Sequence, residues 1–137
     1  MNGPACMAIT PGGAILVLEQ TNNRIQAFDT CANPTRIFAN NTSSIMPLRQ
    51  ASAGATFLDL AMEIVGYIYV LWVNSANVYT VDIYDPQGNW LSATGGVNAG
   101  KLTLDLFRNV YTLNLETLTP VGTVTEPSIS QWIPSTP

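Results

Sequence analysis

Gly66–Gly88 reads GYIYVLWVNSANVYTVDIYDPQG. Two runs within it, Tyr67–Val73 and Val78–Tyr84, are apolar, β-branched and aromatic, and only the polar segment Asn74–Asn77 parts them. Such residues suit a pleated backbone, and two such runs across a short polar link predict a β-hairpin. Asp85-Pro86-Gln87-Gly88 follows as a type I or II turn signal, because Pro presets φ and Gly accepts a positive one. A sheet with one face in water alternates apolar and polar residues. These two runs are apolar on both faces, so both faces are expected to be covered.

The flanks extend the hairpin into a larger unit. Phe57–Met62 predicts a strand before it and Asn89–Ala93 a strand after it, giving four strands over 57–94. The same plan recurs over 5–38, with strands at Cys6–Ile9, Ala14–Leu18, Arg24–Asp29 and Thr35–Phe38 and turns at Pro11-Gly12-Gly13 and Asn33-Pro34. Over 101–134, strands are expected at Lys101–Asp105, Val110–Leu115 and Ser128–Ile133, without an outer fourth. The stretch 40–55 is polar, then carries Pro47, then small residues, and predicts a linker. MAITPGGAILVLE, LAMEIVGYIYVLW and LTLDLFRNVYTLN share a phase, with Gly13, Gly66 and Asn109 expected in corresponding positions at spacings of 53 and 43 residues. Self-similarity at about 40–50 residues with four short strands per unit is the sequence mark of β-propeller blades. The fold expected is all-β, with antiparallel four-stranded blades and about three blades in the chain.

Composition narrows the function classes. The chain has 137 residues, 47% of them apolar, enough for one domain with a core. Charged residues make up only 10%, against roughly 25% in an ordinary soluble domain, so the surface relies on Asn, Thr, Ser and Gln. The net charge is −4, and Lys101 is the only lysine. That balance speaks against nucleic acid and anionic membrane surfaces. No apolar run of about 18 residues marks a membrane span. The start, MNGPACMAITPGG, lacks the charged and long apolar regions of a signal peptide. Either the protein is cytosolic, or this chain is a piece of a longer one, which in a secreted protein would place it outside the cell or in a periplasm.

Histidine is absent. This removes Ser-His-Asp and Cys-His mechanisms and His-ligated metals. Cys6 and Cys31 form either one bridge or two small buried thiols. Asp59 and Asp105 fall near the ends of first strands, but the nine carboxylates show no Asp-x-Asp-x-Asp spacing, so turn-capping and solvated edges are their expected roles. No catalytic group, cofactor or metal is expected.

The first unit carries a more specific pattern: Gly13-x-Ile15-x-Val17, Glu19, then Asn22-Asn23-Arg24-Ile25-Gln26-Ala27-Phe28-Asp29. It resembles an NHL repeat, in which a glycine precedes a strand ending near an acidic residue, followed by Asn-x-Arg-Ile-Gln and Phe-Asp. The second unit resembles it through Gly66–Val70 and Ile83–Gly88 but lacks the Asn-x-Arg-Ile turn. The third keeps only Asn109–Leu113. The resemblance implies a propeller, most often six-bladed, used as a binding platform. In such repeats the positions of Asn22 and Arg24 are mostly structural, Asn22 capping the turn and Arg24 pairing with Glu19 or with carbonyls of the next blade. Enzymes of this kind, lyases and lactonases, rely on histidine.

Three blades raise a closure problem. Propellers have four or more, and an open blade face is too large for an ordinary surface patch. Two copies forming a six-bladed ring, a longer polypeptide or an open stack each resolve it. The function expected first is therefore a non-catalytic interaction or structural module, homo-oligomeric or completed by the rest of a longer chain, with a protein or glycan as possible ligand. A lectin-like propeller comes second and a lyase or hydrolase third. Asn22, Arg24, Trp90 and Trp132 are the candidate contact residues, the two tryptophans because they sit on outer or terminal strands while Tyr67, Tyr69, Trp72 and Tyr79 fill space between blades.

Overall fold

The computed structural model describes residues 3–49, 55–97, 101–104, 110–114 and 128–132. Their strands form three antiparallel meanders. The first sheet runs β1 (Pro4–Ile9), β2 (Ile15–Glu19), β3 (Arg24–Phe28) and β4 (Ile45–Pro47). The second runs β5 (Thr56–Met62), β6 (Ile68–Val73), β7 (Tyr79–Tyr84) and β8 (Trp90–Val97). The third holds β9 (Lys101–Leu104), β10 (Val110–Asn114) and β11 (Ser128–Trp132), with β10 in the middle. The described residues contain no helix, and hence none long and apolar enough to cross a membrane. The chain is an all-β, propeller-like fold of consecutive blade-like sheets.

The repeat holds down to register. Ile9 lies opposite Ile15, Met62 opposite Ile68 and Leu104 opposite Val110. This corrects one expectation: the position of Gly13 and Gly66 falls one residue before Asn109, in a connection outside the described residues. β1 and β5 also carry register shifts at equivalent places, between Pro4 and Cys6 and between Phe57 and Asp59. A bulge repeated in two strands is a feature of the unit, since it bends and twists the strand that carries it.

The turns repeat as well. Thr10–Ala14, Gln20–Arg24, Asp29–Asn33, Glu63–Tyr67, Asn74–Val78 and Asp85–Asn89 all close in one way: the fourth residue's N–H donates to the first residue's carbonyl. The fourth residue takes positive φ, from 50° at Asn23 to 99° at Gly66. That geometry explains the Gly and Asn at these places, which reach the left-handed region at least cost. Ala32, at φ 64°, is the exception. Asp29, Asn74 and Asp85 cap their turns identically, each side-chain oxygen accepting the N–H groups two and four residues on. The turn expected at Asn33-Pro34 is thus Asp29–Asn33, with Asn33 as its last residue.

Two cores lie between the three sheets. Leu16, Leu18, Ile25 and Ala27 of the first sheet meet Leu60, Ile68, Val70, Trp72 and Tyr84 of the second. Tyr69, Leu71, Val81 and Ile83, on the other face of the second sheet, meet Leu102 of the third. Successive residues of β6 therefore go to different cores, which is why its sequence is apolar throughout. Each such buried side chain contributes about 1.5–3 kcal/mol. The first strands β1, β5 and β9 run side by side. The Gln20 amide donates to the Phe57 carbonyl, and Asp59 Oδ2 accepts the Leu102 N–H at 2.9 Å, so the sheets are tied in sequence.

The fourth strand of the first sheet is Ile45–Pro47, inside the stretch expected to be a linker. Thr35–Phe38 makes only isolated bridges, Phe28 with Pro34 and Phe38 with Ser43. Phe38 leaves the sheet to fill the first core at 1% exposure, and the chain reverses through positive φ at Ala39, Asn40 and Asn41. Ser44 and Ile45 then take up the outer edge of β3, the Ala27 N–H donating to the Ser44 carbonyl at 2.8 Å. Cys6 and Cys31 are not bridged to each other, and Cys6 is half-buried and Cys31 exposed, so neither is the buried thiol expected.

Candidate functional site

Four carboxylates that were expected at solvated edges are buried: Glu19, Asp59, Glu63 and Asp82. Burying a charge is costly unless it is paired or hydrogen-bonded, and each has partners. Glu19 accepts from Arg24 Nε at 2.7 Å and from the Asn22 amide at 3.3 Å. Asp59 accepts the N–H groups of Leu60 and Leu102. Glu63 accepts from the Tyr69 hydroxyl. Asp82 pairs with Arg49 at 3.0 Å. By contrast, Asp29 and Asp85 cap turns as expected. Burial works against the Asp85 carboxylate, but hydrogen bonds from Asn89, Gln87 and Gly88 outweigh it and hold its pKa below the ordinary value.

The richest polar cluster is the one around Arg49. This residue follows β4, and the Leu48 N–H beside it is anchored on the Asn23 carbonyl. From there Arg49 reaches across to the second sheet. Its guanidinium binds Asp82 Oδ1 and lies 4.6 Å from the ring centroid of Trp90, a cation–π arrangement. Its backbone N–H donates to the Tyr84 hydroxyl at 2.9 Å. Burial pushes the Tyr84 hydroxyl up to about 12, with the Asp82 charge adding to that shift and the Arg49 hydrogen bond opposing it. Asp82 Oδ2, Arg49 Nε and Trp72 Nε1 make no hydrogen bond among the described residues. The cluster clasps the first sheet to the second, and neither Arg49 nor Asp82 is marked by any motif in the sequence.

A cleft of about 250 Å³ opens between the same two sheets at the end that carries the β1–β2 and β5–β6 turns. Thr10, Pro11, Phe38, Val65, Pro86 and Gln87 line it. Gln87 is already engaged, its side chain by the Asn40 N–H and its carbonyl by the Ala39 N–H.

The third feature is the far face of the first sheet. Strand alternation puts Met7, Ile9, Ile15 and Val17 there, opposite in sense to Leu16 and Leu18. Met7 and Ile9 are 69% and 70% exposed. Their equivalents in the second sheet, Leu60 and Met62, pack into the first core. On the same face Glu19 stands where the second sheet has Trp72, and Arg24 where it has Thr80, since each is the matching cross-strand pair. The Asn22–Glu19–Arg24 group therefore lies on the open face, with the Arg24 side chain 28% exposed.

Of the four residues singled out in the sequence, the structure joins Asn22 and Arg24 through Glu19. Trp90 opens β8 at 44% exposure, beneath Arg49. Trp132 ends β11, paired through the backbone with Val110. The first two lie on the first sheet and the tryptophans on the second and third.

No protein-family model matches the chain, and no curated protein matches it. Solved structures do. The PQQ-bound form of an aldose sugar dehydrogenase from Streptomyces coelicolor is similar at TM-score 0.62 and 18% identity, over 98% of this chain and 45% of that one. A protein of unknown function from Bacteroides caccae is similar at TM-score 0.54 and 15% identity, over 91% of this chain and 45% of that one. At these identities the likeness establishes the fold alone. The chain spans less than half the length of either neighbour.

Proposed function

We propose that the chain is a three-blade segment of an NHL-like β-propeller, a non-catalytic interaction and structural module that closes its open blade faces on another copy of itself or on further blades of a longer polypeptide. The observation that carries this reading is the contrast between the sheets: the second is covered on both faces, while the first presents Met7 and Ile9 at 69% and 70% exposure. The neighbours' greater length supports it, because this chain matches 45% of each. The absence of histidine supports the non-catalytic part. Sedimentation equilibrium of the purified chain tests the reading. A mass of at least twice 14.7 kDa is expected. A stable species of 14.7 kDa at micromolar concentration contradicts self-closure.

The sugar dehydrogenase among the similar structures raises a lectin-like reading, with Trp90 as its stacking platform. Trp90 already carries the Arg49 guanidinium, which favours a structural role for it.

A further inference from the structure

We infer that the open face of the first sheet, centred on the exposed Met7 and Ile9 beside the half-buried Ile15 and bordered by Arg24, is the docking site for the third sheet of a second copy of this chain. The inference rests on the proposed reading of the chain as a propeller segment and specifies which surface closes it.

The occupant follows from the repeat. In the second sheet, Leu60, Ile68 and Val70 are the equivalents of Met7, Ile15 and Val17, and they are covered by the Leu16 and Leu18 face of the sheet before it. The Tyr69 and Leu71 face of the second sheet covers the third in the same sense. Each sheet thus gives one kind of face to its successor and receives the other kind from its predecessor. The first sheet has no predecessor among the described residues, and the third has no successor there. By the same rule the outgoing face of another sheet completes the first, and the third sheet of the same chain lies two sheets away. A second copy supplies it, and its own first sheet in turn receives the third sheet of the original chain. When each of two copies both gives and receives a sheet the pair has no end, and it closes where three sheets turn through half a circle. Three sheets span a little under half of each structural neighbour, so two copies approach the length of one.

The face is suited to this. Its centre is apolar, and its one charge pair is already satisfied, Glu19 being fully buried beneath Arg24. Arg24 leaves part of its guanidinium free to bond carbonyls of an arriving sheet, as Arg49 at the interface within the chain bonds Asp82.

The test is the mass in solution of Met7→Glu/Ile9→Glu beside the wild-type chain and Val65→Glu. Met7 and Ile9 are exposed, so the double variant is expected to keep the wild-type far-ultraviolet dichroism. Wild type and Val65→Glu, which alters an exposed apolar residue away from the face, are expected at twice 14.7 kDa, and the double variant at 14.7 kDa, a twofold fall. A double variant that keeps the wild-type mass overturns this interface while leaving self-assembly standing. A wild-type mass of 14.7 kDa overturns self-assembly itself, whichever face is involved.

Discussion

Met7 and Leu60 hold the same place in consecutive sheets, opposite Val17 and Val70, yet Met7 is 69% exposed and Leu60 only 5%. The chemistry of the two residues is alike, and only the presence of a preceding sheet differs. Transferring a side chain of this size out of water is worth about 1.5–3 kcal/mol, so the repeat that stabilises the second sheet leaves the first with an unused attraction of the same kind.

The Arg49–Asp82 pair is expected to dominate the junction of the first two sheets. Asp82 is fully buried, and removing its cation strands a charge. Arg49→Ala should cost about 2–3 kcal/mol in urea unfolding, below the roughly 3–5 kcal/mol of a fully buried pair because the Arg49 side chain keeps some contact with water. Arg49→Met/Asp82→Leu should recover much of that loss. A double variant no better than the single would mean that the pair's geometry, rather than its charge balance, matters.

Tyr84 links the same junction to alkaline pH. Its hydroxyl titrates near 12 in the folded chain, against 10.0 for an ordinary tyrosine. Between those values the unfolded chain has lost the proton and the folded chain keeps it, so folding stability falls as pH rises through that window. Tyr84→Phe should show a shallower loss of stability from about pH 10 to 12 than wild type in parallel denaturation series. Identical slopes would remove Tyr84 as the cause.

The repeated turns make opposite forecasts at two equivalent sites. Ala32 and Gly88 both hold the positive-φ position, at 64° and 93°. Ala32→Gly should stabilise by roughly 0.5–1 kcal/mol, the left-handed strain it relieves minus the entropy that glycine loses. Gly88→Ala should destabilise by at least about 1 kcal/mol, because a Cβ there would also come within 2.8 Å of Met46 Cγ. Thermal melts decide both signs.

Asp59 ties the second sheet to the third by accepting the Leu102 N–H. Asp59→Ala leaves that buried donor unmet, at a cost of about 1–3 kcal/mol. Amide exchange at Leu102 should rise at least tenfold relative to Val70 in the same variant. Unchanged protection at Leu102 would show that another group holds the two sheets together.

These junctions also show what a linear reading can reach. The hairpin at Gly66–Gly88 was legible because burial on both faces leaves doubly apolar strands, and the repeat because Ile9, Met62 and Leu104 sit at matching distances from their partners. The Asn22–Glu19–Arg24 group was legible because its members are five residues apart at most. β4 was not, since three residues bounded by Ser44 and Leu48 carry no alternation, while the longer Thr35–Phe38 run mimics a strand and is diverted by Phe38 into the core. The corresponding position in the third unit was missed by one residue because no glycine marks it. Arg49 and Asp82 lie 33 residues apart on different sheets, and their pairing exists only once the sheets stack.

Oxidation footprinting of the methionines in the assembled wild-type chain shows whether another sheet covers the face carrying Met7. Met46, at 1% exposure, is the internal standard for a buried thioether. Met7 is expected to be protected nearly as well as Met46, and Met7 in an Ile9→Glu chain to oxidise at the rate of an exposed residue. Rapid oxidation of Met7 in the wild type, alongside a protected Met46, would contradict it.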